Sequence, residues 1–161
     1  MKRLLFYFLK FLAFITRSVS MKWYMTLTVA AHKVVGVKFS GMPEYIEPDC
    51  YLDPSGGLNI GENSVISTKV IILTHDWSFL KRITNHAPDN YTQKAFKSVN
   101  LGANSFLGAG SILLPGTTIG HHCIIGAGAV VKGTIPDFSI VIGNPCKIIG
   151  DTRNNNNHLH Q

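Results

Sequence analysis

One imidazole stands where it can do chemistry. His75 lies in Thr74-His75-Asp76-Trp77, directly after the aliphatic run Val70-Ile71-Ile72-Leu73. Histidine titrates near neutrality, so it can take the proton of a hydroxyl as that oxygen attacks an electrophile. Two carboxylates are candidates to orient the ring or to hold an acceptor's hydroxyls: Asp76 beside it, and Asp53 in Tyr51-Leu52-Asp53-Pro54. The bland reading of all three is a set of turn residues, since Asp-Pro and His-Asp both suit turns. Trp77 presents a flat apolar face that can stack on a sugar ring or anchor a loop.

A repeat must position these groups. From Leu101 to Val131 the chain keeps a six-residue beat of Leu101, Leu107, Leu113, Ile119, Ile125 and Val131. Glycine follows four of them (Gly102, Gly108, Gly120, Gly126), and small residues stand at Ser105, Ser111, Thr117, Cys123 and Ala129. An earlier run, Ile60, Ile66 and Ile72, keeps the same time. Neither a helical period nor simple alternation fits this spacing, whereas a short strand followed by a corner does. Glycine suits such a corner by tolerating positive φ. Three edges make a triangular coil, and the coils stack into an all-β solenoid. Leu101 is then expected over Ile119, Leu107 over Ile125 and Leu113 over Val131, with coils roughly 4.8 Å apart. On the same count Asp53 falls one coil before His75.

The beat stops after Ile72 and resumes near Val99. Residues 73–98 have no repeat and carry Trp77, Phe79 and Tyr91 together with His75 and His86. Disordered segments rarely hold so many aromatics, so an ordered loop that protrudes from one coil and covers a site is expected.

The repeats over residues 46–149, the Thr74-His75-Asp76 motif and the closing segment Ile142-Gly143-Asn144-Pro145-Cys146-Lys147-Ile148-Ile149 resemble the hexapeptide-repeat acyltransferases. Within them the chain looks most like the polysaccharide and sugar O-acetyltransferase branch. The resemblance implies a left-handed parallel β-helix, against the right-handed rule for ordinary parallel crossovers. It also implies acetyl-CoA as acyl donor, His75 as general base for direct transfer to a saccharide, and a homotrimer with sites between subunits. Carried over by position, the corners Gly108-Ala109 and Gly126-Ala127 meet the pantetheine arm, and Lys147 meets a phosphate. Lys132 is a second phosphate candidate, although relatives often have threonine-lysine where this chain has Lys132-Gly133. A shift of one residue along a strand reverses the side it faces.

An N-acetyltransferase acting on an amino sugar and a non-catalytic scaffolding solenoid are the alternatives. The same solenoid hosts zinc hydratases, which need three converging histidines. His75, His86 and the adjacent His121-His122 lack that spacing, and no metal is expected.

Charge divides the chain unevenly. Residues 1–40 hold seven Lys and Arg and no acid, while the remainder carries eight bases and nine acids, for a net charge of +6. Arg3, Lys10 and Arg17 are seven apart, forming a narrow basic stripe beside a broad Leu/Phe helix face. Such a helix can lie in an anionic membrane surface, giving peripheral membrane contact through residues 1–20. It can equally pack on the solenoid's end or on another subunit. Lys10 breaks the apolar run short of the roughly 18 residues a span needs. The slightly acidic solenoid argues against nucleic acid as a partner. Cys50, Cys123 and Cys146 lack any close-pair spacing, as expected of a reduced cytoplasmic protein, peripheral at the inner membrane face if the helix binds lipid. The chain therefore reads as a basic helical segment (1–40), a β-helix (41–142) with its loop insertion (73–98), and a C-terminal cap and polar tail (143–161).

Overall fold

The computed structural model describes residues 1–78 and 95–154. Two helices, α1 (Lys2–Thr16) and α2 (Met21–Val35), open the chain and pack on one another. Gly36 ends α2 at φ 109°, with its N–H donating to the Lys33 carbonyl and the Val37 N–H to the His32 carbonyl. This paired ending satisfies the last carbonyls of the helix. Inward residues of α2, among them Tyr24, Met25 and His32, are buried, and the Tyr24 hydroxyl donates to the Ile46 carbonyl. Of α1 only Ala13 is buried. Lys10 Nζ donates to the Pro48 carbonyl at 3.0 Å, and Arg17 donates to the Tyr45 hydroxyl at 2.7 Å and to Glu47 at 3.0 Å. The basic stripe thus divides. Lys10 and Arg17 hold α1 to the first coil, whereas Arg3 is exposed.

Beyond the helices the chain visits three sheets in strict rotation. The first holds β1 (Lys38–Phe39), β4 (Leu58–Ile60), β7 (Val99–Leu101), β10 (Thr118–Ile119) and β13 (Thr134–Ile135). The second holds β2 (Tyr45–Ile46), β5 (Val65–Ile66), β8 (Phe106–Leu107), β11 (Ile124–Ile125), β14 (Ser139–Ile142) and β15 (Lys147–Asp151). The third holds β3 (Tyr51–Leu52), β6 (Ile71–Ile72), β9 (Ile112–Leu113) and β12 (Val130–Val131). Neighbours run parallel until β15 turns back antiparallel on β14.

The register follows the beat. Leu101 pairs with Ile119, Leu107 with Ile125 and Leu113 with Val131. It also spans the interruption, with Ile60 opposite Leu101, Ile66 opposite Leu107 and Ile72 opposite Leu113. All of these side chains are buried, and Ser105, Ser111, Thr117, Cys123 and Ala129 fill the space between them. Each large aliphatic contributes about 1.5–3 kcal/mol relative to exposure.

The corner glycines have a different reason from the one the sequence suggests. Positive φ falls two places later, on Asn104, Gly110, His122 and Gly128. At Gly102 a Cβ would lie 2.2 Å from the Gly120 carbonyl oxygen. Close approach of one coil's backbone to the next excludes a side chain there, not a left-handed turn. Of the expected loop, residues 79–94, with Phe79, His86 and Tyr91, lie outside the described residues, as does the tail from 155 onward.

Candidate active site

His75 follows β6 at the corner where the chain leaves the third sheet for the first. Pairing of Leu52 with Ile72 sets Asp53, on the preceding coil, against Leu73 and Thr74. Asp53 is buried, and all the partners of its carboxylate are donors. Oδ1 accepts from the Ser55 N–H at 3.0 Å and the Ser55 hydroxyl at 2.6 Å. Oδ2 accepts from the Thr74 N–H at 2.9 Å, the Thr74 hydroxyl at 2.7 Å and His75 Nδ1 at 2.6 Å. Burial by itself would raise this carboxyl, but the hydrogen bonds from Ser55 and Thr74 outweigh it and hold the group well below the usual carboxylate range. An ionised carboxylate only accepts, so Nδ1 carries a proton, and in the neutral ring the free lone pair falls on Nε2. The His75 side chain is 28% exposed against 3% for Asp53, which presents the ring to solvent over a buried anchor.

Ser55 and Thr74 escape a reading of the sequence alone. Asp53-Pro54-Ser55 is a recognisable side-chain turn, in which the carboxylate accepts the N–H two residues on. Nothing in that local pattern says that the next coil will use the other oxygen. Gly56 permits the approach. Its N–H donates to the Thr74 hydroxyl at 2.8 Å, and a Cβ there would stand 2.2 Å from the Thr74 carbonyl oxygen.

An aromatic wall flanks His75. The Trp77 ring centroid lies 6.1 Å from that of His75 and meets Phe96 edge-on at 5.5 Å. Phe96, another residue the sequence reading passes over, forms an antiparallel bridge with His75. Asp76 closes the next turn, its Oδ1 accepting from the Ser78 N–H at 2.8 Å and the Ser78 hydroxyl at 2.5 Å. Asp53, His75 and Trp77 therefore come together, while the Asp76 carboxylate caps the following turn.

The residues expected along the donor fall into a separate row. Gly108, Gly126 and Ile142 occupy successive rungs at the end of the second sheet, and Lys147 stands opposite Ile142. Ala109 and Ala127 follow at the same corner, where the Ala109 carbonyl accepts the Gly128 N–H at 2.9 Å. In one chain this row lies one edge of the triangle away from His75. Lys132 directly follows β12 and belongs to the corner of His75, two coils further on, or roughly 10 Å. Lys132 and Lys147 are both exposed. Among the described residues no three His, Cys, Asp or Glu side chains converge as a metal set.

Residues 98–133 match the family model described as bacterial transferase hexapeptide (six repeats). A protein of Mycobacterium tuberculosis named as a probable acetyltransferase is 36% identical over 102 residues, covering 56% of this chain and 34% of that protein. WbbJ of Escherichia coli, named provisionally as a lipopolysaccharide biosynthesis O-acetyl transferase, is 35% identical over 97 residues, covering 57% of this chain and 49% of WbbJ. The chain thus spans less than half the length of either relative. Among solved structures, a hexapeptide-repeat-containing acetyltransferase of Vibrio cholerae complexed with acetyl coenzyme A superposes with a TM-score of 0.63 at 15% identity. That match covers 95% of this chain and 88% of the other, a likeness of fold. The repeat of residues 98–133 is thus that of the bacterial transferase hexapeptide, and the relatives the chain resembles are named as acetyltransferases.

Proposed function

We propose that this chain is an acetyl-CoA-dependent O-acetyltransferase acting on a saccharide hydroxyl. The observation that carries the reading is the 2.6 Å bond from His75 Nδ1 to Asp53, which leaves Nε2 as a base. The acceptor hydroxyl gives its proton to Nε2 as its oxygen bonds to the thioester carbonyl carbon. A backbone N–H holds the resulting tetrahedral oxyanion. Collapse breaks the carbon–sulfur bond, Nε2 returns the proton to the departing sulfur, and the products are an acetyl ester and the CoA thiol. Asp53 stays ionised throughout, fixing the ring and balancing the imidazolium. Burial pushes the Cys50 thiol up to about 11 and Cys123 lies in the core, so neither is placed to act as a nucleophile.

The donor runs along the row of Gly108-Ala109 and Gly126-Ala127, with Lys147 at a phosphate. That row and His75 occupy different corners of one coil stack, so a site using both joins two copies. This favours a homotrimer of left-handed β-helices with three sites in its grooves, Lys132 being the second cation toward the phosphates. Trp77 stacks on the acceptor ring, and Asp76 lies at the edge of the same surface. Relatives named for acetyl transfer, one of them for lipopolysaccharide biosynthesis, support this class of acceptor.

The test is release of CoA from acetyl-CoA across a panel of sugars and nucleotide sugars, with wild type and His75→Ala side by side. Acceptor-dependent release that falls by roughly 10²–10⁴ in the variant, with CoA binding retained, is expected. Release that is indifferent to the substitution would remove His75 from the mechanism.

A further inference from the structure

The helix α1 leaves an apolar face uncovered. Leu4, Tyr7, Phe8, Phe11, Phe14 and Ile15 are between 51% and 77% exposed and recur at helical spacing on one side. The opposite side packs on α2, and two of its cations are committed to the first coil, Lys10 to the Pro48 carbonyl and Arg17 to Tyr45 and Glu47. The orientation is therefore fixed by the protein, with the apolar face turned outward by contacts at the middle and the end of the helix. Beyond α1, Trp23 at the start of α2 is 63% exposed.

We propose that this face docks on an anionic lipid bilayer, with α1 lying in the plane of the interface. Charge chooses the occupant. Lys2, Arg3 and Lys22 are exposed at the two ends of the surface, and residues 1–40 contain no Asp or Glu. Cations that border an apolar helical stripe, with amphipathic aromatics at its margin, match the two layers of a membrane surface, headgroup and acyl chain. A second copy of this chain would bring the same cations against each other, so self-association through this face is disfavoured by the same charges. Among the described residues no helix is long and apolar enough to cross a membrane, which fits a helix that lies on the bilayer. The cations that contact lipid are Lys2, Arg3 and Lys22 rather than the full stripe of Arg3, Lys10 and Arg17.

Flotation of the full chain with vesicles tests this. The vesicles are phosphatidylcholine alone, or phosphatidylcholine with one part in four phosphatidylglycerol, at about 0.1 M salt, where surface charges are still felt. Wild type is expected to float with the anionic vesicles and far less with the neutral ones. Replacing Lys2, Arg3 and Lys22 with serine lowers binding by on the order of fivefold per cation. The double variant Phe8→Glu, Phe11→Glu abolishes flotation with unchanged circular dichroism, since both side chains are exposed and carry no core packing. Equal binding to both kinds of vesicle, or none to either, overturns the proposal. So does a double variant that elutes as a smaller assembly while wild type does not float, an outcome that assigns the face to contacts between copies.

Discussion

Replacing Asp53 with asparagine keeps the shape of the side chain while removing its charge and turning one acceptor into a donor. The amide has two ways to sit. With its NH2 at the place of Oδ2, it confronts the Thr74 N–H, 2.9 Å away, and the imidazole must present Nδ1 as an acceptor. The ring proton then moves to Nε2 and the base is lost. With its NH2 at the place of Oδ1, it confronts the Ser55 N–H, 3.0 Å away, but the exposed Ser55 hydroxyl can rotate to accept. The second arrangement costs less and keeps the tautomer. What it loses is the negative charge 2.6 Å from Nδ1, the partner of the imidazolium formed as the hydroxyl attacks. Unit charges about 4 Å apart attract by about 1 kcal/mol in water and about 4 kcal/mol near a protein surface. The rate should therefore fall by roughly 5- to 10³-fold. The KM for acetyl-CoA should hold, because the row of Gly108, Gly126 and Lys147 stands at a different corner of the chain. The assay is CoA thiol release at saturating donor, beside urea unfolding to show that the variant is folded. A kcat within about twofold of wild type in a folded variant, below the roughly fivefold floor just worked out, would refute the argument and reduce Asp53 to a pin for its corner.

Two further outcomes test the scaffold. His32 is buried, its Nδ1 donates to the Thr28 carbonyl at 2.8 Å, and burial lowers its pKa to about 4. The unfolded chain, titrating near 6.5, binds the proton first, so stability should fall by about 3 kcal/mol from pH 7 to pH 4, a slope that His32→Gln removes in urea titrations. Gly102→Ala forces a Cβ to within 2.2 Å of the Gly120 carbonyl oxygen and should cost about 1–3 kcal/mol in the same titration, whereas a midpoint matching wild type would show that the coils can separate there.

The coil was legible because one inward aliphatic per edge leaves a single way to stack. In the next coil Leu101 falls against Ile119, and the same count brought Asp53 within a coil of His75. The glycines illustrate where the count stops. Glycine at spacing six suits close approach and positive φ alike, and only the backbone distinguishes Gly102, where a side chain has no room, from Gly110, whose equivalents Asn104 and His122 carry one. Phe96 was out of reach for a different reason. It lies beyond an unrepeated stretch, so no register tied it to His75. The heptad spacing of Lys10 and Arg17 identified a helix side without saying that this side would meet Pro48 and Glu47.

The base is held by main chain on both sides of residues 79–94. Before them, Thr74 is bound to Asp53 through its N–H and hydroxyl, and Asp53 donates its own N–H to the Ile72 carbonyl at 3.0 Å. After them, the Lys97 N–H donates to the Thr74 carbonyl and the Asp76 N–H to the Ala95 carbonyl, each at 2.8 Å. His75 therefore sits in a closed frame formed by one coil corner and a short antiparallel bridge. Its distance to Asp53 follows from the stacking of one coil on the next. A site built this way separates two requirements. The proton-accepting nitrogen is fixed by the solenoid, which must be regular to bury its aliphatic column. On the proposed function, recognition of an acceptor can then be drawn from Trp77 and Phe96, beside the imidazole they flank.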